Sequence, residues 1–364
     1  MRNFFVSRSN KSKLSREITM RFKTHSNYVY TGGPDCLHQV AGAVKRRGYY
    51  SAMVYPPDHN GKGVMPYYQE IYDIDTAETR DENLDDPDTV QIIPANWGPD
   101  WYPYSHDSEY CIRAKGSNPY HSTKILYWVG WIPWQFWQWG GVDVPVDLKH
   151  PNMQKSYHAC QTQKCYDTLL NSNVIKPERI FFLREHTVDV FFHSEEEIKQ
   201  SLPQRQNIVL YNPVKGPETS KKIMEICQDL NCEFIPVRGM THKEMAELGM
   251  KAKVYIDFGP YPGKEKIHRE MAVCGCSIIT GSDGCADNPI DVPSGNRKFF
   301  RQGGHYDWIA VKKQIIWDLE NHSLAIDDLH MRYYRQSVRA EKAQFENDVD
   351  IMLQTIQTYG NLVD

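Results

Sequence analysis

The sequence predicts an α/β protein of two consecutive lobes, each a parallel sheet covered by helices. Three observations carry this expectation. The chain has 364 residues, and at roughly 100–200 residues per domain that leaves room for two separate cores. Short apolar runs alternate with amphipathic stretches across residues 27–183, and again across 207–280. Continuous apolar strands separated by helices mean a parallel sheet buried on both faces. Glycine-rich turns follow several strand candidates, and parallel sheets receive ligands at those strand ends.

The first elements follow in order. Residues 1–26 are basic and Ser-rich, lack an apolar stretch, and read as a flexible N-terminal extension. Residues 27–31 (NYVYT) are rich in β-formers and read as the first strand. Gly32-Gly33-Pro34-Asp35 breaks it. Residues 36–47 then put Leu37, Val40, Ala41 and Val44 on one helical face, and Gly48 hands over to a strand at 49–55. Residues 57–88 are polar and turn-rich. Strands are expected at 89–94 (TVQIIP) and 125–131, around an irregular insertion at 96–122. A helix is expected over 152–170, with His158 near its start, and a last strand at 179–183 (RIFFL).

Residues 193–206 read as a charged linker, which sets the first lobe at 27–195. The second lobe, 196–340, repeats the alternation. Its strands are expected at 207–211, 232–237, 254–258 and 277–280, with helices at 217–230, 242–251 and 265–273. The tail from about His305 reads as helical and charged, and its residues 341–364 as a C-terminal helix that packs back on the first lobe.

Composition removes several function classes. Apolar content of 40% and charged content of 24% are ordinary for a globular protein. A net charge of -4 argues against nucleic acid as a partner. No stretch reaches the roughly 18 apolar residues of a membrane helix, and no secretory signal stands at the N-terminus. The 9 cysteines are irregularly spaced without a CxxC pair. That implies neither a disulfide framework nor a structural zinc, and suits a reducing, cytoplasmic compartment. Oligomeric state is not legible.

The most informative stretch is 254–280, VYIDFGPYPGKEKIHREMAVCGCSIIT. A strand leads into a Gly/Pro loop, then Lys264, then a helix carrying Glu270, and Gly275 before the next strand. This stretch resembles the donor lobe of GT-B glycosyltransferases, whose signature is a Gly-rich loop, a helix with an acid, an EAMACG-like run and an apolar strand. Here that run is Glu270-Met271-Ala272-Val273-Cys274-Gly275. The resemblance implies a GT-B fold with an interlobe cleft. It implies that Glu270 takes the donor ribose, with Tyr261, Gly263 and Lys264 at the diphosphate and sugar. The retaining branch carries a second acid eight residues earlier; that position is Pro262 here, and Glu265 is out of register. Stereochemistry therefore stays open. The loop Lys215-Gly216 and the loop Arg238-Gly239-Met240-Thr241 follow successive strands and would supply further donor contacts. Lys215, Arg238 and Lys264 would then stabilise a departing nucleoside diphosphate without a metal or other cofactor.

On the acceptor side, the resemblance gives Gly33 to the glycine loop and makes Asp35 and His38 candidate bases. Imidazole has suitable intrinsic chemistry, while Asp35 is also a natural helix N-cap. The tryptophans between Trp97 and Trp139 are expected to be mostly core, with one or two lining an acceptor groove. The function implied is sugar transfer from a UDP- or GDP-linked donor to a glycan or other hydroxyl acceptor. Two alternatives stand beside it. One is a nucleotide-sugar binder or epimerase-like protein on the same fold. The other is a metal-dependent transferase using Asp73-Ile74-Asp75 or Asp86-Pro87-Asp88 as a DxD pair.

Overall fold

The structure, a computed structural model, describes residues 20–56, 62–79, 88–97, 122–130, 136–139, 142–145 and 147–359. The chain divides into two compact units. The first holds residues up to Gln161, then Cys165–Leu183 and Glu346–Asp364; the second holds Thr162–Lys164 and Arg184–Phe345.

The first unit is a seven-stranded sheet. Its strands are β1 (Arg21–His25), β2 (Tyr50–Tyr55), β3 (Ala77–Thr79), β4 (Thr89–Pro94), β5 (Thr123–Trp128), β8 (Tyr157–Cys160) and β9 (Ile180–Phe182). Two further strands, β6 (Phe136–Trp139) and β7 (Val142–Pro145), form a separate antiparallel pair. The sheet order is β3-β2-β1-β4-β5-β8-β9, with every pairing parallel. Order reverses between β1 and β4, which makes their carboxyl ends the topological switch point. Helix α1 (Gly32–Arg46) buries Leu37, Val40, Ala41 and Val44 as the periodicity requires. Gly48, at φ 81°, ends the turn beyond it. The remaining helices of this unit's first part are α2 (Pro66–Tyr72), α3 (Pro151–Lys155) and α4 (Gln163–Asn171). Ile93, Trp97, Leu126, Trp128, Met153 and Leu169 share one core cluster.

The second unit carries α5 (Glu195–Ser201) and then β10 (Ile208–Tyr211), α6 (Pro217–Ile226), β11 (Glu233–Pro236), α7 (His242–Lys251), β12 (Val254–Asp257), α8 (Ile267–Val273) and β13 (Ser277–Thr280). Its parallel sheet has the order β11-β10-β12-β13, so the switch point lies between β10 and β12. Helices α9 (Trp308–Glu320), α10 (His322–Asp327) and the long α11 (Leu329–Tyr359) follow. No helix among the described residues is long and apolar enough to cross a membrane.

Several expectations need correction. The first strand is Arg21–His25, inside the stretch read as an extension; residues 27–31 form the loop into α1. Residues 152–170 are not one helix: a short helix, strand β8 and α4 share them, so His158 sits in a strand. Residues 195–201 are helical, with Ser194 and Glu197 forming a capping box. The unit boundary falls near Leu183 rather than 195. Glu185 is the reason, since its carboxylate pairs with Arg269 and Lys266 of the second unit. The final helix begins at Leu329, not at 341. Its last turns belong to the first unit, where Arg47 binds Glu346 at 2.8 Å and Asp350 at 2.5 Å.

Candidate functional site

At the switch point of the second unit, two loops lie backbone against backbone. Gly216 takes φ 63°, and a Cβ there would stand 2.9 Å from Gly259 Cα. A Cβ on Gly259 would stand 2.5 Å from Lys215 Cβ. Only glycine fits such an approach, and the left-handed φ at Gly216 adds a second reason. The β10–α6 loop and the loop after β12 are therefore fixed to each other, and Lys215 with them.

Around this point lies a dense set of charges. Lys215 pairs with Glu265. Lys264 Nζ lies 2.7 Å from Glu341 Oε1, and Lys266 Nζ lies 3.2 Å from Glu185 Oε2. Arg269, fully buried, donates from Nη1 to Glu341 Oε2 at 2.8 Å and from Nη2 to Glu185 Oε1. Its Nε also reaches the Glu265 carbonyl at 2.9 Å. Burial alone would depress the guanidinium's pKa, but Glu341 and Glu185 outweigh it and hold it above its ordinary value. Breaking such a buried pair strands the other ion in a poor solvent. The segment leading into α8 is thereby tied to α11 and to the strand-end segment at Glu185.

Glu270 sits on α8 beside Arg269 and is only 3% exposed. Its carboxylate accepts no hydrogen bond from any described residue, while Lys266 and Arg269 act on it through space. Burial raises its pKa, and burial together with Arg269 lowers that of Lys266. A buried carboxylate without donors is costly unless something supplies them. Asp257, at the end of β12, is also buried. It accepts from Gly259 N at 3.0 Å and from the Tyr255 hydroxyl at 3.1 Å. Burial, then Glu265, pushes it up to about 7.

The other expected donor residues fare differently. Arg238 is exposed and has no ion-pair partner among the described residues. Gly239 takes φ 69°, with open space where a Cβ would be, and Met240 is half-buried. Thr241 caps α7: its hydroxyl accepts from Glu244 N at 3.3 Å and donates to Glu244 Oε2 at 2.8 Å. That engagement leaves it a structural role. Tyr261 is fully buried, its hydroxyl donating to the Asp257 carbonyl at 3.2 Å, so its side chain is a core element rather than a donor contact. Gly263 is buried. Lys264 is held by Glu341 rather than standing free.

In the first unit, Asp35 lies in the first turn of α1, 6% exposed, and accepts from the Tyr72 hydroxyl at 2.5 Å. It lies inside the helix, because the cap position belongs to Thr31. His38 is fully buried. Its Nδ1 lies 2.5 Å from the Pro34 carbonyl, which can only accept, so Nδ1 carries the proton. Nε2 then accepts from the Tyr55 hydroxyl at 2.5 Å. Burial depresses its pKa to about 4. With its lone pair engaged and its basicity low, His38 is a core histidine and not an available base. A Cβ at Gly33 would meet nothing within 4 Å, so that turn faces open space.

His158 is likewise a core histidine, bound by Trp128 Nε1 at 2.9 Å and the Met153 carbonyl at 2.8 Å. Trp97 and Trp128 are buried, as expected for most of the tryptophans. Trp101, Trp131 and Trp134 lie outside the described residues, as do the side chains of Trp137 and Trp139. Asp73 and Asp75 are exposed and flank buried Ile74; Lys45 pairs with them at 3.5 and 3.2 Å. Asp86 lies outside the described residues. Among the described residues, no group of three or more His, Cys, Asp or Glu is arranged to hold a metal. Sequence reasoning missed Glu185 and Glu341, which lie 84 and 72 positions from Arg269 and carry no local motif.

No protein-family profile and no curated protein sequence matches this chain. Solved structures do. A glycosyltransferase from Rickettsia africae ESF-5 matches with a TM-score of 0.56 at 11% identity, covering 95% of this chain and 99% of that one. Sucrose-phosphate synthase from Thermosynechococcus elongatus matches with 0.55 at 14% identity, covering 94% and 99%. An α-glucosyltransferase in complex with UDP and a 13-mer DNA containing an HMU base matches with 0.50 at 11% identity, covering 92% and 99%. At these identities the likeness is one of fold. This chain has the GT-B fold of glycosyltransferases.

Proposed function

We propose that the chain is a glycosyltransferase that moves a sugar from a nucleoside-diphosphate sugar, UDP- or GDP-linked, to a hydroxyl of a glycan or other acceptor. The single observation that carries this reading is Glu270. It is a nearly buried carboxylate without hydrogen-bond donors, in a unit whose strand order puts a ligand at the same end of the sheet. A pair of ribose hydroxyls would supply the missing donors. The fold shared with glycosyltransferases supports the assignment by analogy.

In this reading Lys215 and Arg238 face the diphosphate, with Gly216, Gly239 and Met240 forming the backbone around it. Such cations stabilise charge that grows on the leaving nucleoside diphosphate as the sugar bond breaks. Lys264 keeps α8 in register through Glu341. Asp35 is the acceptor-side carboxylate that would act as base, on giving up its bond from the Tyr72 hydroxyl, and Gly33 gives the acceptor an open approach. The chemistry needs no metal in this scheme.

The test is a thermal-shift screen of the purified chain against UDP, GDP, TDP and CMP, with and without EDTA. A ligand that binds only the folded state raises the apparent stability. The expected result is selective stabilisation by one nucleoside diphosphate, undiminished by EDTA, with Glu270→Ala losing about 10- to 100-fold in affinity. No stabilisation by any of them, or full affinity in Glu270→Ala, would defeat the proposal.

A further inference from the structure

Lys215 already has an anion. Its ammonium pairs with Glu265, and the two side chains keep 30% and 17% of their surface exposed. The backbone and Cβ of Lys215 are packed against Gly259, where a side chain would clash. The side chain beyond keeps the freedom to change partner. Asp257, buried at the end of β12, feels both Glu265 and Lys215 through space.

The wider balance points the same way. Lys264 is taken by Glu341, Lys266 by Glu185, and Arg269 by both of those acids. The two acids of these pairs are buried and are shared among the three cations, of which the lysines keep 12% and 18% of their side-chain surface exposed. Lys215–Glu265 is the pair of this group with the most exposed cation, and it lies at the switch point. A phosphate arriving there would meet like charge from Glu265 at hydrogen-bonding range of the same ammonium. At such distances like charges repel, and several times more strongly near a protein surface than in water. Binding is therefore weaker for as long as Glu265 stays on Lys215.

We infer that Glu265 takes the place of a phosphate on Lys215 and yields that ammonium to the diphosphate of the donor. Glu265 therefore sets a charge threshold. A ligand must bring a diphosphate to displace a carboxylate, and an uncharged nucleoside leaves the pair intact. This rests on the transferase reading above and adds to it a residue that selects the donor by charge.

The experiment titrates wild type, Glu265→Gln, Lys215→Met and the double variant with the nucleoside diphosphate that stabilises the wild type, and with its parent nucleoside. Glu265→Gln keeps the shape and removes the charge, so Lys215 is freed. The expected result is diphosphate binding about 3- to 10-fold tighter in Glu265→Gln, unchanged nucleoside binding, and no gain in the Lys215→Met background. Glu265→Ser, smaller and equally uncharged, is expected to act in the same direction. Diphosphate binding no tighter than wild type in both Glu265 variants overturns the inference while leaving the transferase reading standing. A gain that survives Lys215→Met overturns it too. A wild type that binds no nucleoside diphosphate overturns the transferase reading itself, and the inference with it.

Discussion

Asp257→Asn should stabilise the protein above neutral pH and leave it unchanged in acid. The carboxylate is buried at the end of β12, and burial with Glu265 moves its pKa from the ordinary 3.8 to about 7. In the unfolded chain it ionises near 4. Below pH 4 both states are protonated and the group costs nothing. From pH 4 to 7 the unfolded state gives up its proton while the folded state keeps it, so stability falls across that window. Above 7 the loss is complete. About three pKa units at 1.36 kcal/mol each amount to about 4 kcal/mol. Asparagine never ionises, and its side chain can still accept from Gly259 N and bond to the Tyr255 hydroxyl, which stand at 3.0 and 3.1 Å. Urea denaturation of both proteins at pH 4.5 and pH 8 measures the difference directly. The expected outcome is near-equality in acid and a variant more stable by a few kcal/mol at pH 8. Equal stability at both pH values, or a variant weaker at pH 8, would refute the reasoning.

Two other changes test the buried charges and the histidine. Arg269→Met should cost about 3–5 kcal/mol, because it leaves Glu185 and Glu341 buried without their shared partner. Denaturant midpoints report it, and a loss under 1 kcal/mol would mean that the two acids find other partners. His38→Asn should lower stability by about 1–2 kcal/mol by disturbing the bonds to Pro34 and Tyr55. It should leave the pH profile of turnover in place; a profile that loses its acidic limb would restore His38 as a base.

What was legible in the sequence tracks where the chain buries itself without help. Ser277–Thr280 and His242–Lys251 fall where the sequence puts them. The first is a run of small and apolar residues buried on both faces, and the second opens on a Thr-x-x-Glu capping box. Arg21–His25 hid because it is a central strand made of Arg, Phe, Lys, Thr and His. Lys23 is buried there only because Glu78 reaches it at 2.7 Å. No pattern in five residues shows that partner. The strand at 157–160 hid for a related reason: His158 is buried through Trp128 and Met153, contacts that helical periodicity does not foresee. The helix at 195–201 was legible and overlooked, since Ser194 and Glu197 spell its cap. Of the candidate site, Glu270 and Lys215 are found at or beside the switch point from local motif alone. Their partners Glu341, Glu185 and Glu265 depend on tertiary approach.

Those partners change what the motif means. A lysine read from sequence as a phosphate ligand carries no information about which acid the fold brings against it. Lys264 and Lys215 come from equivalent positions, each following a strand and preceding a helix, yet one is bound to a fully buried carboxylate on a distant helix and the other to a partly exposed one. Exposure separates them: 12% for Lys264 and 1% for Glu341, against 30% and 17% for Lys215 and Glu265. Exchanging the first pair would strand Glu341 in the interior, while exchanging the second returns Glu265 toward water. In the proposed function, the charge lent to the donor is therefore that of Lys215, while Lys264 and Arg269 tie the segment around α8 to Glu341.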